Sequence, residues 1–154
     1  MLRPRSIAGT VRLRRHLALL LAAMLVTVPV LSSRAEALTA EEVTFGTMMN
    51  DVRSNHSVRG LRVTERLSKM ARRHSNRMAE RGELYHSNLR RMFRGFNYRM
   101  VGGNVGYAGS LDQLLEAFMD SPPHAQNVLG KWRRTGIGVV WKGDRVWVTQ
   151  LFLT

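Results

Sequence analysis

Five histidines and no cysteine bound the chemistry open to this 154-residue chain. Without a thiol there is neither a cysteine nucleophile nor a thiolate metal site, so reactive work falls to His, Asp, Glu, Ser, Thr, Tyr or Lys. The most specific setting is that of His124, in Ser121-Pro122-Pro123-His124-Ala125-Gln126-Asn127-Val128-Leu129-Gly130. Ser121 suits a helix N-cap and Pro122 the first helical position, where its missing N–H has no partner to lose. Pro123 also lacks an N–H, which leaves the His124 amide as the natural donor to Ser121 Oγ, and Gly130 supplies the stop. A histidine in a first helical turn meets the positive end of the dipole, which disfavours imidazolium. A fixed neutral imidazole serves a metal site or a general base; the same stretch also reads as a plain capped helix whose histidine packs.

The other histidines divide by setting. His86 follows a helix stop, in Leu84-Tyr85-His86-Ser87-Asn88. His74 falls on the apolar stripe Leu67, Met70, Ala71, Met78, as a hydrogen-bonded core histidine would. His56 lies in the polar break Asn55-His56-Ser57 and is expected to be solvated.

Several elements must position these groups. Thr39-Ala40-Glu41-Glu42 has the capping-box form and opens a helix with Val43, Met48, Met49 and Val52 on one face. Thr64 is an N-cap candidate for the helix carrying His74, which closes near Gly82, with Arg72, Arg73, Arg77 and Arg81 largely on its wet side. Residues 88–109 are rich in Gly and Asn and read as a long loop with a short helix around 89–93. Ser110-Leu111-Asp112-Gln113 is another capping box, for a helix over 111–120 with Leu111, Leu114, Leu115 and Phe118 on one face. Two apolar runs, 137–141 and 145–152, flank Lys142-Gly143-Asp144 as a C-terminal β-hairpin. Helices first and strands last give the α+β class.

The N-terminus reads as an export leader over residues 1–37. Arg3, Arg5, Arg12, Arg14 and Arg15 precede an apolar run over 17–31, and Ala35-Glu36-Ala37 is an Ala-x-Ala site. The run contains Pro29 and falls short of the roughly 20 residues that span a bilayer; cleavage after Ala37 or Ala35 is the expectation, an uncleaved anchor the alternative. Arg14-Arg15 is compatible with a twin-arginine route. Residues 38–154 then form one domain of 117 residues carrying 18 basic and 10 acidic side chains. A surplus of +8 favours anionic surfaces such as cell-wall polymers or lipid headgroups, and it also suits a merely solvated basic face. Nucleic acid is not expected, since the arginines are scattered rather than interleaved with stacking aromatics.

The order of the motifs resembles the CAP domain, the cysteine-rich secretory, antigen 5 and pathogenesis-related superfamily, in its cysteine-free bacterial form. The resemblance rests on Met49-Asn50-Asp51-Val52-Arg53 with Gly60-Leu61, then Ala71-Arg72-Arg73-His74-Ser75, then Tyr85-His86-Ser87. It continues through Gly103-Asn104-Val105-Gly106, Phe118-Met119-Asp120-Ser121-Pro122-Pro123-His124, Gly136-Ile137-Gly138-Val139 and Val148-Thr149-Gln150-Leu151-Phe152. It implies a three-layer α-β-α sandwich with a small central antiparallel sheet. It also implies a cleft lined by two histidines and two glutamates able to hold a divalent metal. His86 and His124 match the histidines; the glutamate positions fall at Gly103 and Ser121 and are empty. Two imidazoles alone make an incomplete zinc site, even if Asp120 or Tyr85 contributes, and acid–base hydrolysis loses its carboxylates. A Ser121–His124 hydrolase lacks a third group to orient the imidazole.

The expectation is therefore a secreted, monomeric, non-catalytic binding module. Its cleft of Tyr85, His86, Asn104, Ser121 and His124 would take a lipid or other small amphiphile, or hold zinc weakly through His86 and His124, with no required cofactor. Two alternatives stand beside it: a peptide or cell-wall hydrolase, and an interaction protein that uses its basic surface against an anionic cell wall or membrane.

Overall fold

The computed structural model describes residues 37–154. The expected leader lies outside them apart from Ala37. Helix α1, Ala40–Asn55, opens on the capping box: Thr39 Oγ1 accepts the Glu42 N–H at 3.2 Å, and Glu42 Oε2 accepts the Thr39 N–H at 3.1 Å. It ends at His56, which is solvent-exposed. After the two-residue strand β1, Arg62–Val63, comes α2, Glu65–Arg81. Thr64 sits at its N-cap without a side-chain capping bond, and Gly82 ends it in the left-handed region (φ 66°), where glycine avoids a Cβ clash. Leu67, Ala71, His74 and Met78 form its buried stripe.

Three of the four expected α2 arginines are exposed, but Arg72 is not free on a wet face. Its Nε and Nη2 grip Glu42 Oε1 and Oε2, both at 2.6 Å, and the Glu42 side chain is fully buried. The capping-box glutamate thus also ties α1 to α2.

The glycine-rich stretch after Asn88 contains the expected short helix, α3 (Leu89–Met92), and corrects the rest of the loop reading. Val101–Ala108 is a strand, β2, paired along its whole length with the last strand. Its glycines are there for proximity. A Cβ at Gly106 would sit 2.7 Å from Leu114 Cδ1, and one at Gly102 would sit 2.9 Å from Asn127 Oδ1. Helices α4, Leu111–Asp120, and α5, Pro122–Val128, follow, then β3, Arg134–Lys142, and β4, Arg145–Leu153. The hairpin turns at Gly143 (φ 61°), with Lys142 opposite Arg145.

Strand order is β1-β3-β4-β2. The pairs β3–β4 and β4–β2 are antiparallel, as expected; β1 adds a short parallel edge beside β3, so the sheet is mixed. Strand parity separates the layers. Ile137, Val139, Val146, Val148 and Phe152 join Phe45, Met49, Leu114, Leu115, Phe118 and Val128 in one core. Leu151 and Leu153 pack with Leu67, Ala71 and Phe93, and Trp147 with Met78 and Val105, on the other face. Helices α1, α4 and α5 therefore cover one face and α2 the other, as an α-β-α sandwich. Gly136 and Gly138 let α2 rest on the β3 backbone: a Cβ at Gly138 would lie 2.0 Å from Arg72 N, and one at Gly136 2.2 Å from the Leu67 carbonyl carbon. No helix among the described residues is long and apolar enough to cross a membrane.

Candidate functional site

His74 is the fixed point of the site. It is fully buried on α2, with Nε2 2.9 Å from Tyr85 O and Nδ1 2.9 Å from Ser87 Oγ. A carbonyl can only accept, so Nε2 carries the proton and Nδ1 accepts from the Ser87 hydroxyl. The Tyr85 ring meets the imidazole edge-on at 4.9 Å. Burial, which penalises the charged form, holds the His74 pKa below its ordinary value; the Tyr85 carbonyl opposes that shift, and Arg77 and His86 add to it. A neutral core histidine thus clamps residues 85 and 87, and His86 between them is presented to solvent.

His86 stands at a cleft of about 100 Å³ whose walls include Leu89, Val105 and Leu151, with Asn104 and Gly103 beneath. Gly103 has limited room for more: a Cβ there would lie 3.1 Å from Gln150 O and 3.3 Å from Leu89 Cδ2. Where the resemblance places a carboxylate, this chain has a glycine with a leucine side chain against it.

His124 arrives from the other side. It is half-buried on α5 with its ring 5.1 Å from that of Phe118. Burial lowers its pKa first, and the charge of His86 lowers it further. No hydrogen bond joins the two rings, and His124 does not line the His86 cleft.

The expected Ser121 cap is also corrected. Ser121 occupies the N-cap of α5 but makes no side-chain capping bond. With Pro122 and Pro123 in the first turn, few amide donors remain for it to satisfy. Its carbonyl does accept the Ala125 N–H at 2.8 Å. Asp120 is exposed and does not line the cleft.

An amide relay that sequence reasoning missed positions α5. Asn127 Nδ2 donates to Asn104 Oδ1 at 2.9 Å, and Asn104 Nδ2 donates to Gln150 Oε1 at 2.9 Å and to His124 O at 3.1 Å. Asn104 and Gln150 are cross-strand partners, a signal legible only once β2 is recognised as a strand. The relay leaves Gln150 Nε2 buried and without a partner.

The family model for the cysteine-rich secretory protein (CAP) family matches residues 47–152. The chain belongs to that family. Among solved structures, an outer surface protein of Borrelia burgdorferi superposes with a TM-score of 0.68 at 15% identity, over 77% of this chain and 96% of that one. An extracellular SCP-domain protein of Bacillus anthracis gives 0.65 at 20% identity over 76% of this chain and 44% of its own. A cysteine-rich secretory protein of Staphylococcus aureus gives 0.61 at 23% over 73% and 38%. At these identities the likeness is one of fold. No curated protein sequence matches the chain.

The metal site implied by the family is not reproduced in this CAP domain. No group of three or more His, Asp or Glu side chains suited to a metal occurs among the described residues. A catalytic zinc normally takes three protein ligands plus water, and this chain has a glycine, Gly103, and an uncharged serine, Ser121, at the positions where the resemblance places carboxylates.

Proposed function

We propose that this CAP domain is an exported, non-catalytic binding module whose cleft at His86 takes the end of a small amphiphilic ligand. The observation that carries the reading is the make-up of the cleft. Leu89, Val105 and Leu151 offer an apolar wall, His86 is the exposed polar side chain at its edge, Ser87, Asn104, Thr149 and Gln150 add polar groups, and Gly103 carries no carboxylate. At about 100 Å³ it suits a short apolar tail, since pockets for drug-sized ligands run to roughly 300–1,000 Å³. Export is supported by the Arg-rich leader pattern and by fold neighbours described as outer-surface and extracellular proteins. The hydrolase alternative is less well supported, because among the described residues no carboxylate is hydrogen-bonded to the His86 or His124 ring.

The test is titration of the folded domain with octanoate and octanol, followed by calorimetry. Wild type should bind, His86→Ala should weaken octanoate more than octanol, and Gly103→Val, which fills the cleft, should abolish both. Absence of heat with either compound, or binding unchanged in Gly103→Val, rejects the cleft as the site. Tight zinc binding by wild type that is lost in His86→Ala, or ester hydrolysis lost in that variant, rejects the metal-free, non-catalytic reading.

A further inference from the structure

A second concavity shares no lining residue with the His86 cleft and is much larger, about 970 Å³. It runs across the end of the sheet where β1, β2 and β3 begin and β4 finishes, since Arg134 pairs with both Arg62 and Leu153, and Leu153 with Val101. Six cations line it: Arg59, Arg62, Arg99, Lys131, Arg133 and Arg134. Among the described residues no Asp or Glu lines it. Five of the six are exposed, and none makes a side-chain hydrogen bond or ion pair with a described residue. Arg62 and Arg134 are direct cross-strand partners, an arrangement of like charges that costs stability. No Asp or Glu among the described residues lining the recess offsets that cost.

The cations also stand on a rigid frame. The fully buried Arg53 donates through Nε and Nη2 to Arg59 O, and through Nη1 to Val128 O and Gly130 O. One side chain thus fixes both loops that deliver Arg59 and Lys131–Arg134. Trp132 donates its Nε1–H to Asn127 O and stacks on Phe152 with centroids 5.8 Å apart. Thr154 Oγ1 accepts the Met100 N–H at 2.9 Å, which ties the Arg99 loop to the end of β4. Loops held in place around a recess favour an anion site, because only the cationic side chains, and not the backbone that carries them, remain to be ordered on binding.

The shape and the aromatics select the anion. Six cations spread over such a volume exceed what one phosphate needs and suit several phosphates in series. A bilayer is flat and would be met by a raised face, whereas these charges surround a hollow. Single-stranded nucleic acid uses successive free aromatic faces as stacking platforms; here the two rings, Trp132 and Tyr98, are already packed on Phe152 and against Phe93. They supply an apolar floor for a sugar or polyol. We propose that this groove binds a linear phosphate-bearing polymer with a sugar or polyol backbone, its phosphates on the arginine rim and its backbone on Trp132 and Tyr98.

The experiment is calorimetric titration of the domain with poly(glycerol phosphate) over a series of salt concentrations. Wild type should bind with a steep salt dependence. R62Q/R134Q should bind about tenfold or more weakly with the log–log salt slope reduced by about one to two, reflecting the lost phosphate contacts. R73Q/R77Q, which removes two exposed arginines of α2, should bind as wild type does, and so should His86→Ala, which separates this groove from the amphiphile cleft. R62Q/R134Q should unfold no earlier than wild type on heating, because it removes an opposed like-charge pair, so its weaker binding cannot come from misfolding. The proposal is overturned by no binding at low salt, or by equal losses in both double variants. It is also overturned by tighter binding to an oligothymidylate of equal charge, or by binding to anionic vesicles alone.

Discussion

At the residue scale, His74 both lines the cleft and holds the segment beside it in place. Both ring nitrogens are spent on the segment that carries His86, and its neutral state is part of that bond pattern. Protonation would put a donor on Nδ1 and a charge in the core. The folded pKa lies below 6.5, mainly through burial, so as pH falls through about 6.5 the unfolded chain takes up a proton that the folded chain refuses. Stability from this group is complete above that pH and declines below it, by at most about 1.4 kcal/mol per pH unit, until the folded ring protonates. Urea unfolding between pH 7.5 and 5 should show the decline. His74→Gln should flatten it, leaving the contribution of His124, which has the same sign. Equal pH slopes in the two proteins would remove His74 from this role.

At the element scale, the chain shows what a sequence reveals and what it hides. Helices with a capping residue and an apolar stripe were legible, as at Thr39–Glu42 and along Leu67, Ala71, His74 and Met78, because both signals are local. So was the hairpin at Gly143. Strand β2 was not legible, since Val-Gly-Gly-Asn-Val-Gly-Tyr-Ala has turn composition, and its glycines answer to side chains of α4 and α5 far along the chain. The amide relay went unseen with it. Of the site, His86, His124 and Asn104 could be named, but not that Leu89 would stand against Gly103. Two substitutions test this view of the elements. Gly138→Ala puts a Cβ into the α2 backbone and should cost about 3 kcal/mol or more, at the upper end of overpacking penalties. Ser121→Ala should cost less than about 0.5 kcal/mol, below the usual value of about 1 for an N-cap, because the hydroxyl caps nothing. Thermal and urea unfolding decide both, and a cheap Gly138→Ala would contradict direct helix-on-strand contact.

At the scale of the whole molecule, one ion pair bridges the two helical layers and one buried arginine ties elements within a layer. Glu42–Arg72 links helices on opposite faces of the sheet, while Arg53 joins α1 to the end of α5 and to two loops with no carboxylate partner among the described residues. A buried guanidinium satisfied only by carbonyls is a device for fixing main chain, since its planar fork can serve several acceptors at once. Arg53→Met preserves much of the bulk and leaves the carbonyls of Arg59, Val128 and Gly130 without their donor, so it should destabilise the domain by about 2–4 kcal/mol. Arg53→Lys keeps the charge but not the fork and should fall between. The loss should also be uneven. Hydrogen exchange should rise first at residues 57–60 and 129–133, which are tied through Arg53, and last in β4, which is buried along nearly its whole length. Uniform acceleration across the domain, or an Arg53→Met variant as stable as wild type, would mean that α5 and the loops are held by apolar packing alone.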